Sequence, residues 1–285
     1  MNNELFKIYK KNFPFNIRQE STEKEILNNK NNIVLQEKNE VDELIGVSII
    51  NKNTILMLCV DKVYRNKGIG SKLLEESERI VYSNGYDSIN IGVGYDYLMP
   101  GVPLVDNNYN FFNKRGYTHS WGEDECFDMF MELKDMSYPH QTGEDINGIV
   151  YKFAKEEDIK QIVECVNDAE SDFTQYYMNI NLYKSNNDQK VLIALKDDEV
   201  VGTLIISIET EAKDTGSVGC TTTKTKYRHQ GIATNLVCIG TKYLKDMGLK
   251  YGYLGYTYTG LDKLYGVAGY HITNKYMMAK KLLKK

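Results

Sequence analysis

The stretch YRNKGIG at residues 64–70 returns in altered form as YRHQGIA at residues 227–233. Each copy follows a run of apolar and β-branched residues and leads into a segment whose apolar residues recur at helical spacing. The copies lie 163 positions apart, and no gap is needed until Gly85 matches Gly248. Internal repetition at this level predicts a duplicated structural unit.

The repeat extends on both sides of these loops. Upstream, DELIGVSII at residues 42–50 matches DEVVGTLII at residues 198–206, and downstream Gly116 and Gly269 are each followed by tyrosine. The separation falls to 153 positions at these glycines, which places ten extra residues in the first copy, around DYLMPGVPLVDN at residues 96–107. Loop position alone does not decide whether this insertion is a lid or a domain contact.

The length of 285 residues favours two domains. Between the copies, KDMSYPHQTGEDING at residues 134–148 is polar and rich in turn-forming residues, which predicts a linker. We therefore expect one domain over residues 1–145 and a second over residues 146–285.

Composition excludes several classes of protein. Hydrophobic residues make up 42% and charged residues 26% of the chain, which is typical of soluble globular proteins, and no apolar run is long enough for a membrane helix. No signal peptide is evident at the start, so a cytoplasmic location is expected.

The five cysteines are scattered, with no CxxC pair, and predict neither disulfides nor a metal site. The net charge of −4 disfavours general nucleic-acid binding.

The order of predicted elements is similar in the two copies. In the second copy, residues 149–154 and 217–225 are β-rich, residues 191–195 and 200–208 predict a hairpin, and the loop opens onto a helix. The first copy has the strand candidates NIVLQEK, ELIGVSII and TILMLCV before its loop and helix. Strands mixed with helices predict an α/β or α+β fold rather than a helical bundle.

Each loop has the features of an anion site. A tight turn between a strand and a helix leaves the first amide groups of the helix unpaired, and the helix dipole favours negative charge there. Gly68 and Gly70, or Gly231 and Ala233, remove side chains that would keep a phosphate from the backbone. Basic residues accumulate at both loops: Lys62, Arg65, Lys67, Lys224, Lys226 and Arg228.

The alternative for a single loop is an ordinary turn with solvated charges, but two loops with the same RxxGI[GA] spacing favour a phosphate site. Neither loop fits GxxxxGK[ST] or carries the third glycine of GxGxxG, which disfavours nucleoside triphosphates and nicotinamide dinucleotides.

The segments VDKVYRNKGIGSKLLEESERIVYSNGY and TKTKYRHQGIATNLVCIGTKYLKDMGL resemble motif A, [RQ]xxGx[GA], of the GNAT N-acetyltransferase superfamily. The resemblance covers most of both halves and includes the closing LYGVAGY at residues 264–270. It implies two tandem GNAT-like domains, as in the mycothiol synthase type, each with a mixed, mostly antiparallel sheet flanked by helices.

By this resemblance, acetyl-CoA is the acyl donor and lies along a splayed strand with its diphosphate on the loop, and no metal is required. The implied cofactor-binding residues of the first copy are Cys59, Val60, Arg65, Asn66, Lys67, Gly68, Ile69, Gly70 and Ser71. Those of the second copy are Thr222, Thr223, Arg228, His229, Gln230, Gly231, Ile232, Ala233 and Thr234.

In the family pattern a tyrosine four residues before the closing glycine protonates the departing thiolate. That position holds Tyr265 in the second copy and Phe112 in the first, so the resemblance implies that the C-terminal domain is catalytic. A core aromatic residue is the alternative for Tyr265. Glu209, Glu211, Tyr256 and Tyr258 are candidates for a general base, with no choice among them.

The predicted function is acetyl transfer to a primary amine of a small molecule or a peptide. The alternative is a non-enzymatic acyl-CoA-binding protein in which one or both domains are degenerate. The sequence does not specify the acceptor, the oligomeric state or whether both domains bind CoA.

Overall fold

The computed structural model of the protein describes residues 3–16, 20–92, 98–120, 125–184, 187–208 and 212–283. The chain folds into two compact units. The first unit combines Met1–Phe127 with Asn274–Lys285, and the second consists of Asp128–Thr273.

Twenty-three helices and strands follow one another among the described residues. The elements up to β7 are α1 (Asn3–Asn12), α2 (Glu20–Leu27), β1 (Ile33–Lys38), β2 (Leu44–Asn51), β3 (Thr54–Val60), α3 (Ile69–Ser83), β4 (Ser88–Ile91), β5 (Val102–Pro103), α4 (Asn108–Asn113), β6 (Thr118–His119) and β7 (Cys126–Glu132). The others are β8 (Asp145–Ile146), β9 (Ile149–Phe153), α5 (Ile159–Ala169), α6 (Thr174–Tyr177), β10 (Gln189–Lys196), β11 (Glu199–Ser207), β12 (Thr215–Thr223), α7 (Ile232–Asp246), β13 (Tyr251–Tyr258), α8 (Asp262–Gly266), β14 (His271–Met277) and β15 (Ala279–Leu282).

The first unit is built on a six-stranded sheet in the order β1-β2-β3-β4-β15-β6. Strands β1, β2 and β3 form an antiparallel meander, whereas β3 and β4 are parallel because α3 crosses over between them. The last strand of the chain, β15, lies antiparallel to both β4 and β6. The apolar residues of this sheet and of α3 and α4 form one buried cluster.

The second unit repeats this design. Its strands lie in the order β13-β12-β11-β10-β9-β8, with β7 beside β13. Strands β9 to β12 are antiparallel, and α7 crosses over to make β12 and β13 parallel. The two mostly antiparallel sheets flanked by helices confirm the predicted α/β class.

The strand before each loop carries a β-bulge. In β12, Thr203 pairs with Thr222 and Ile205 with Gly219, so Cys220 and Thr221 together oppose one residue of β11. Cys220 has a φ of 48°. This left-handed backbone conformation is rare for residues other than glycine, asparagine and aspartate. A bulge bends its strand, and β12 pairs with β13 only at their first residues, Thr215 with Tyr251 and Gly216 with Gly252. The two parallel strands therefore separate as they approach the loop.

A buried glycine lets each loop-bearing helix approach the sheet closely. A Cβ at Gly202 in β11 would lie 2.8 Å from Ile232 Cγ2, and one at Gly46 in β2 would lie 2.9 Å from Ile69 Cγ2. These isoleucines are the first residues of α7 and α3. The same contact thus fixes the start of both helices on their sheets.

The compact units do not divide at the predicted cut near residue 145. The predicted linker at residues 134–148 belongs to the second unit, where Lys245 Nζ donates to Lys134 O and Met136 O and where Gly143 N donates to Tyr151 O. The end of the chain belongs to the first unit instead, because β15 pairs there with β4. Polar composition indicated a loop, but it did not reveal that this loop packs on α7.

Candidate functional site

The two glycine-bearing loops adopt the same succession of backbone conformations. The first makes a 3-10 turn at Lys62–Tyr64 and then enters the left-handed region at Asn66 (φ 61°) and Gly68 (φ 86°). The second makes its turn at Thr225–Tyr227 and enters that region at His229 (φ 63°) and Gly231 (φ 78°). The repeat in the sequence therefore encodes a repeated backbone.

Each loop ends as the N-cap of a long helix. The first helical hydrogen bonds that close on the caps run from Lys72 N to Gly68 O and from Asn235 N to Gly231 O. In any helix the first amides have no acceptor within the helix, and here these are the amides of residues 69–71 and 232–234. Together with the dipole of a 15-residue helix, such amides favour an anion at this position.

The motif arginines shape the loops. Arg65 Nε donates to Val60 O at 3.0 Å, and Arg228 Nε donates to Thr223 O at 3.4 Å. In both copies the guanidinium folds back onto the last carbonyl of the preceding strand. These arginines therefore stabilise the turn that presents the amides.

A cleft of about 920 Å³ lies beside the first loop. It is lined by β3, by the loop, by α4 and by the segment before α4. The first-copy residues predicted to bind cofactor that line it are Cys59, Val60, Arg65, Asn66, Gly68, Gly70 and Ser71. The two others have different surroundings: Ile69 faces Gly46, and Lys67 Nζ lies 5.2 Å from the centre of the Tyr64 ring.

Arg115 lines the same cleft and was missed in the sequence. Its Nη2 donates to Ser71 Oγ at 2.7 Å, its Nη1 donates to Phe111 O at 2.8 Å, and its guanidinium carbon lies 3.9 Å from the centre of the Phe111 ring. The side chain is thereby held at the first turn of α3. The available signal was a difference between the two copies, since Ala268 stands in the second copy where the first has this arginine.

The cations of the second loop are largely paired within the protein. Glu199 at the start of β11 accepts from Lys224 Nζ at 2.8 Å, from Lys226 Nζ at 2.9 Å and from Tyr227 Oη at 2.8 Å. These three hydrogen bonds lower the pKa of Glu199 from 4.5 to about 2. The predicted concentration of positive charge is therefore reduced at this loop.

Two further groups of α5 contact the second loop. A carboxylate oxygen of Asp168 accepts from the amide of Thr225 at 2.6 Å, and this bond lowers the pKa of Asp168. Arg228 Nη2 donates to Ala169 O at 3.3 Å. The carboxyl end of α5 thus contacts the loop through both residues. Of the predicted strand residues, Thr222 is buried with its Oγ1 2.6 Å from Thr203 Oγ1, and Thr223 Oγ1 is a buried atom without a hydrogen-bond partner.

Tyr265 reaches the bulge of β12 from α8. Its hydroxyl lies 3.4 Å from Thr221 Oγ1, and its ring packs against that of Tyr270 with a centroid distance of 6.3 Å. The side chain is 6% exposed, and this burial raises its pKa. A phenol in these surroundings stays protonated at neutral pH.

Phe112 occupies the matched place in the first unit. It is buried, packs edge-on against Tyr117 with a centroid distance of 5.6 Å, and lines the large cleft. The first unit therefore offers a wide cleft with no hydroxyl at this position, and the second offers a buried hydroxyl at its bulge.

The bulge itself is held by a tyrosine that the sequence did not single out. Tyr177 is fully buried, and its hydroxyl donates to Cys220 O at 2.6 Å. Tyr183 Oη in turn donates to Tyr177 O at 2.7 Å. This chain of hydrogen bonds ties the strained residue of β12 to α6 and the turn after it.

Two of the four general-base candidates belong to the part of the chain that the structure describes. Glu209 and Glu211 lie outside the described residues. Tyr256 and Tyr258 are neighbours near the end of β13, with ring centres 5.2 Å apart and a φ of 60° at Tyr256.

Within the described ranges, no group of three or more His, Cys, Asp or Glu side chains is arranged to hold a metal ion. A search of the described residues finds no helix with the length and apolar character needed to cross a bilayer.

Comparisons with known proteins agree with this geometry. The model of the acetyltransferase (GNAT) domain matches residues 4–94, and that of the acetyltransferase (GNAT) family matches residues 155–269. No curated protein matches the chain at a significant level.

Several solved structures share the fold. A glucosamine N-acetyltransferase region of a fungal multi-domain GH3 β-N-acetylglucosaminidase superposes with a TM-score of 0.75 at 18% identity, covering 98% of this chain and 36% of its own. The chain thus spans only about a third of that protein. A GCN5-related N-acetyltransferase from Sphaerobacter thermophilus gives a TM-score of 0.67 at 16% identity and covers 95% of this chain and 91% of its own.

A tandem GNAT protein from the clavulanic acid biosynthesis pathway gives a TM-score of 0.58 at 12% identity, covering 90% of this chain and 85% of its own. At these identities the likeness concerns the fold. With a family model matched in each half and a glycine-bearing loop at the start of each long helix, the chain belongs to the GNAT acetyltransferases and carries two of their domains in tandem.

Proposed function

We propose that the chain is an acetyl-CoA-dependent N-acetyltransferase and that acyl transfer takes place in the second unit. The observation that carries this proposal is the Tyr265 hydroxyl, 3.4 Å from Thr221 Oγ1 at the bulge of β12. The same strand leads directly into the loop whose amides would hold the diphosphate of the cofactor. A proton donor and an anion site therefore belong to one continuous strand and loop.

The residues present suit this chemistry. Acetyl-CoA supplies a thioester, whose carbonyl carbon is attacked by an amine that arrives as the free base and gives its surplus proton to water. As the bond from carbon to sulfur breaks, Tyr265 donates its hydroxyl proton to the departing sulfur. Burial keeps this hydroxyl protonated until it is needed.

For the first unit a second function is favoured, which is binding of acyl-CoA without turnover. Its cleft of about 920 Å³ and its loop fit the cofactor, but Phe112 has no proton to donate. In this view the first unit retains the phosphate site and lacks the acid.

The acceptor we propose is a primary amine of a small molecule or a peptide. Two structural neighbours are described as N-acetyltransferases, one of them acting on glucosamine, which supports including amino sugars among the amines tested.

The test is thiol release from acetyl-CoA with a panel of amines. We expect Tyr265→Phe to lower kcat about 100-fold, the usual contribution of a general acid, with little change in KM for acetyl-CoA. Turnover unaffected by this change would remove Tyr265 from the mechanism, and no turnover with any amine would favour the binding function.

A pair of matched variants assigns the reaction to a unit. Gly70→Glu and Ala233→Glu place a carboxylate at the same position of the two loops, where neither residue needs a left-handed backbone. Activity that survives Gly70→Glu and is lost in Ala233→Glu supports the proposal. The reverse result would assign turnover to the first unit.

A further inference from the structure

The second unit contains a cavity of about 300 Å³ between its sheet and the segment that follows α5. One wall comes from α6 and the turn after it, and the other comes from β10, β11 and β12. The lining residues are Gln175, Tyr176, Asn179, Leu182, Gln189, Ile205, Ser207, Ser217, Gly219 and Cys220.

A row of uncharged polar side chains crosses the floor of this cavity. Gln189 in β10 pairs with Ser207 in β11, which pairs in turn with Ser217 in β12. Directly opposite residues of neighbouring strands project to the same face of a sheet. Gln189 Nε2 donates to Ser207 Oγ at 2.9 Å, so the row is also linked by a hydrogen bond.

The cavity borders the bulge of β12, next in sequence to the residue that contacts the proposed acid. Cys220 belongs to its lining, and the next residue, Thr221, contacts the Tyr265 hydroxyl. Gly219 also lines the cavity, and a Cβ built on it would meet no atom within 4 Å. The space above Gly219 is therefore open, one residue away from the bulge.

The lining selects against anions. None of the described residues that line the cavity carries a charge, so a carboxylate or phosphate buried there would find no cation, which is costly. Amide and hydroxyl side chains match hydroxyl or amide groups of a ligand. A volume of about 300 Å³ is at the lower end for small-molecule sites.

We infer that this cavity binds the acyl acceptor and that the acceptor is a small amine bearing hydroxyl or amide groups and no anionic group. The inference rests on the proposed function and specifies its substrate class. An uncharged, partly desolvated site also favours the neutral form of an amine, which is the nucleophilic form.

Direct binding tests the inference independently of turnover. Calorimetric titrations with galactosamine, galactosamine 1-phosphate and glutamate compare three amines that differ in their anionic groups. We expect galactosamine to bind about tenfold or more tightly than the two anionic amines, because their charge would be buried without a partner.

Variants at Gly219 test the location. Gly219→Val and Gly219→Leu fill the open space, and we expect each to weaken galactosamine binding about tenfold or more, with the smaller Gly219→Ala in between. CoA affinity and the thermal midpoint are the controls, and both should stay at wild-type values in Gly219→Ala, whose added Cβ has no atom within 4 Å.

The outcomes separate the two proposals. Equal galactosamine affinity in wild type and Gly219→Leu, no galactosamine binding, or tighter binding of an anionic amine would each overturn the acceptor site. Galactosamine binding that depends on Gly219, without thiol release from acetyl-CoA, would support the cavity and contradict the transferase function.

Discussion

The Lys224 ammonium lies 2.8 Å from Glu199 Oε1, so a carboxylate of the protein offsets part of the positive charge of the second glycine-bearing loop. Glu199 also accepts from Lys226, whereas Glu43 at the matched position of the first copy accepts from Asn39 Nδ2. Two loops with the same backbone therefore differ in the charge that they offer a ligand.

Removing this carboxylate should strengthen anion binding at the second loop. We expect Glu199→Gln to raise CoA affinity about threefold, the effect of releasing Lys224 and Lys226 from their ion pairs with this carboxylate. The measurement is calorimetry in the Gly70→Glu background, where only the second loop can bind. The gain should shrink as salt is added, because the released cations are screened. An unchanged or weaker affinity at low salt would contradict this account.

The same cluster predicts a pH dependence of stability. The pKa of Glu199 falls from 4.5 to about 2 on folding, so its ionised form stabilises the protein above pH 4.5. This stabilisation is lost as the pH falls through about 2. We expect the difference in thermal midpoint between wild type and Glu199→Gln to be largest near neutral pH and to vanish near pH 2. A difference that grows on acidification would have the wrong sign.

Arg115 should bind the phosphates of CoA in the first cleft. Its guanidinium is fixed between Ser71 and Phe111, so little rotamer freedom remains to be lost on binding. In the Ala233→Glu background we expect Arg115→Ala to weaken CoA about tenfold and to leave pantetheine, which has no phosphate, unaffected.

Two variants control this prediction. Arg115→Lys should not restore affinity, because an ammonium cannot stack on Phe111 and donate as a fork. Arg79→Ala, which removes an equal charge paired with Glu76 on the exposed face of α3, should bind CoA normally. An equal loss in both alanine variants would reduce the role of Arg115 to general electrostatics.

Tyr177 should matter more than its distance from the loop suggests. Tyr177→Phe removes the 2.6 Å hydrogen bond to the partly buried carbonyl of Cys220, and the loss of one such hydrogen bond costs about 0.5–1.5 kcal/mol. Because the bulge separates β12 from β13, we expect a higher KM for acetyl-CoA as well as a lower denaturation midpoint. Tyr183→Phe, whose hydroxyl also donates to a backbone carbonyl, is the control and should leave KM unchanged. Equal KM values in both variants would restrict Tyr177 to stability.

Much of this architecture was predictable from local pattern. The hairpin over β10 and β11, both loops and the long helices α3 and α7 lie where periodicity and glycine spacing indicated, because each depends on residues close in sequence. The resemblance of the two loops also supplied the tandem organisation, which the family matches confirm.

What the sequence did not reveal depends on distant partners. The pairing of Ala279 in β15 with Ile91 in β4 sets the boundary of the first unit, and no local signal marks it. The bulge at Cys220 was also hidden, since cysteine is not a residue that favours a left-handed backbone. The ion pair between Lys224 and Glu199 likewise depends on the pairing of two strands, and the spacing of these residues in the sequence does not indicate it.

The glycine contacts beneath the two helices give a last, paired prediction. A methyl group at Gly202 would lie 2.8 Å from Ile232 Cγ2 and 3.1 Å from Leu236 Cδ1, which forces α7 away from the sheet. We expect Gly202→Ala to cost about 1–3 kcal/mol of unfolding free energy, measured by urea denaturation. Because Ile232 begins the helix whose amides are proposed to bind the diphosphate, CoA affinity in the Gly70→Glu background should also fall. Gly219→Ala, in the neighbouring strand with no atom near its added methyl, is the matched control and should keep wild-type stability and CoA affinity. If both alanine variants unfold at the same urea concentration, close packing of α7 on Gly202 is not what positions the loop.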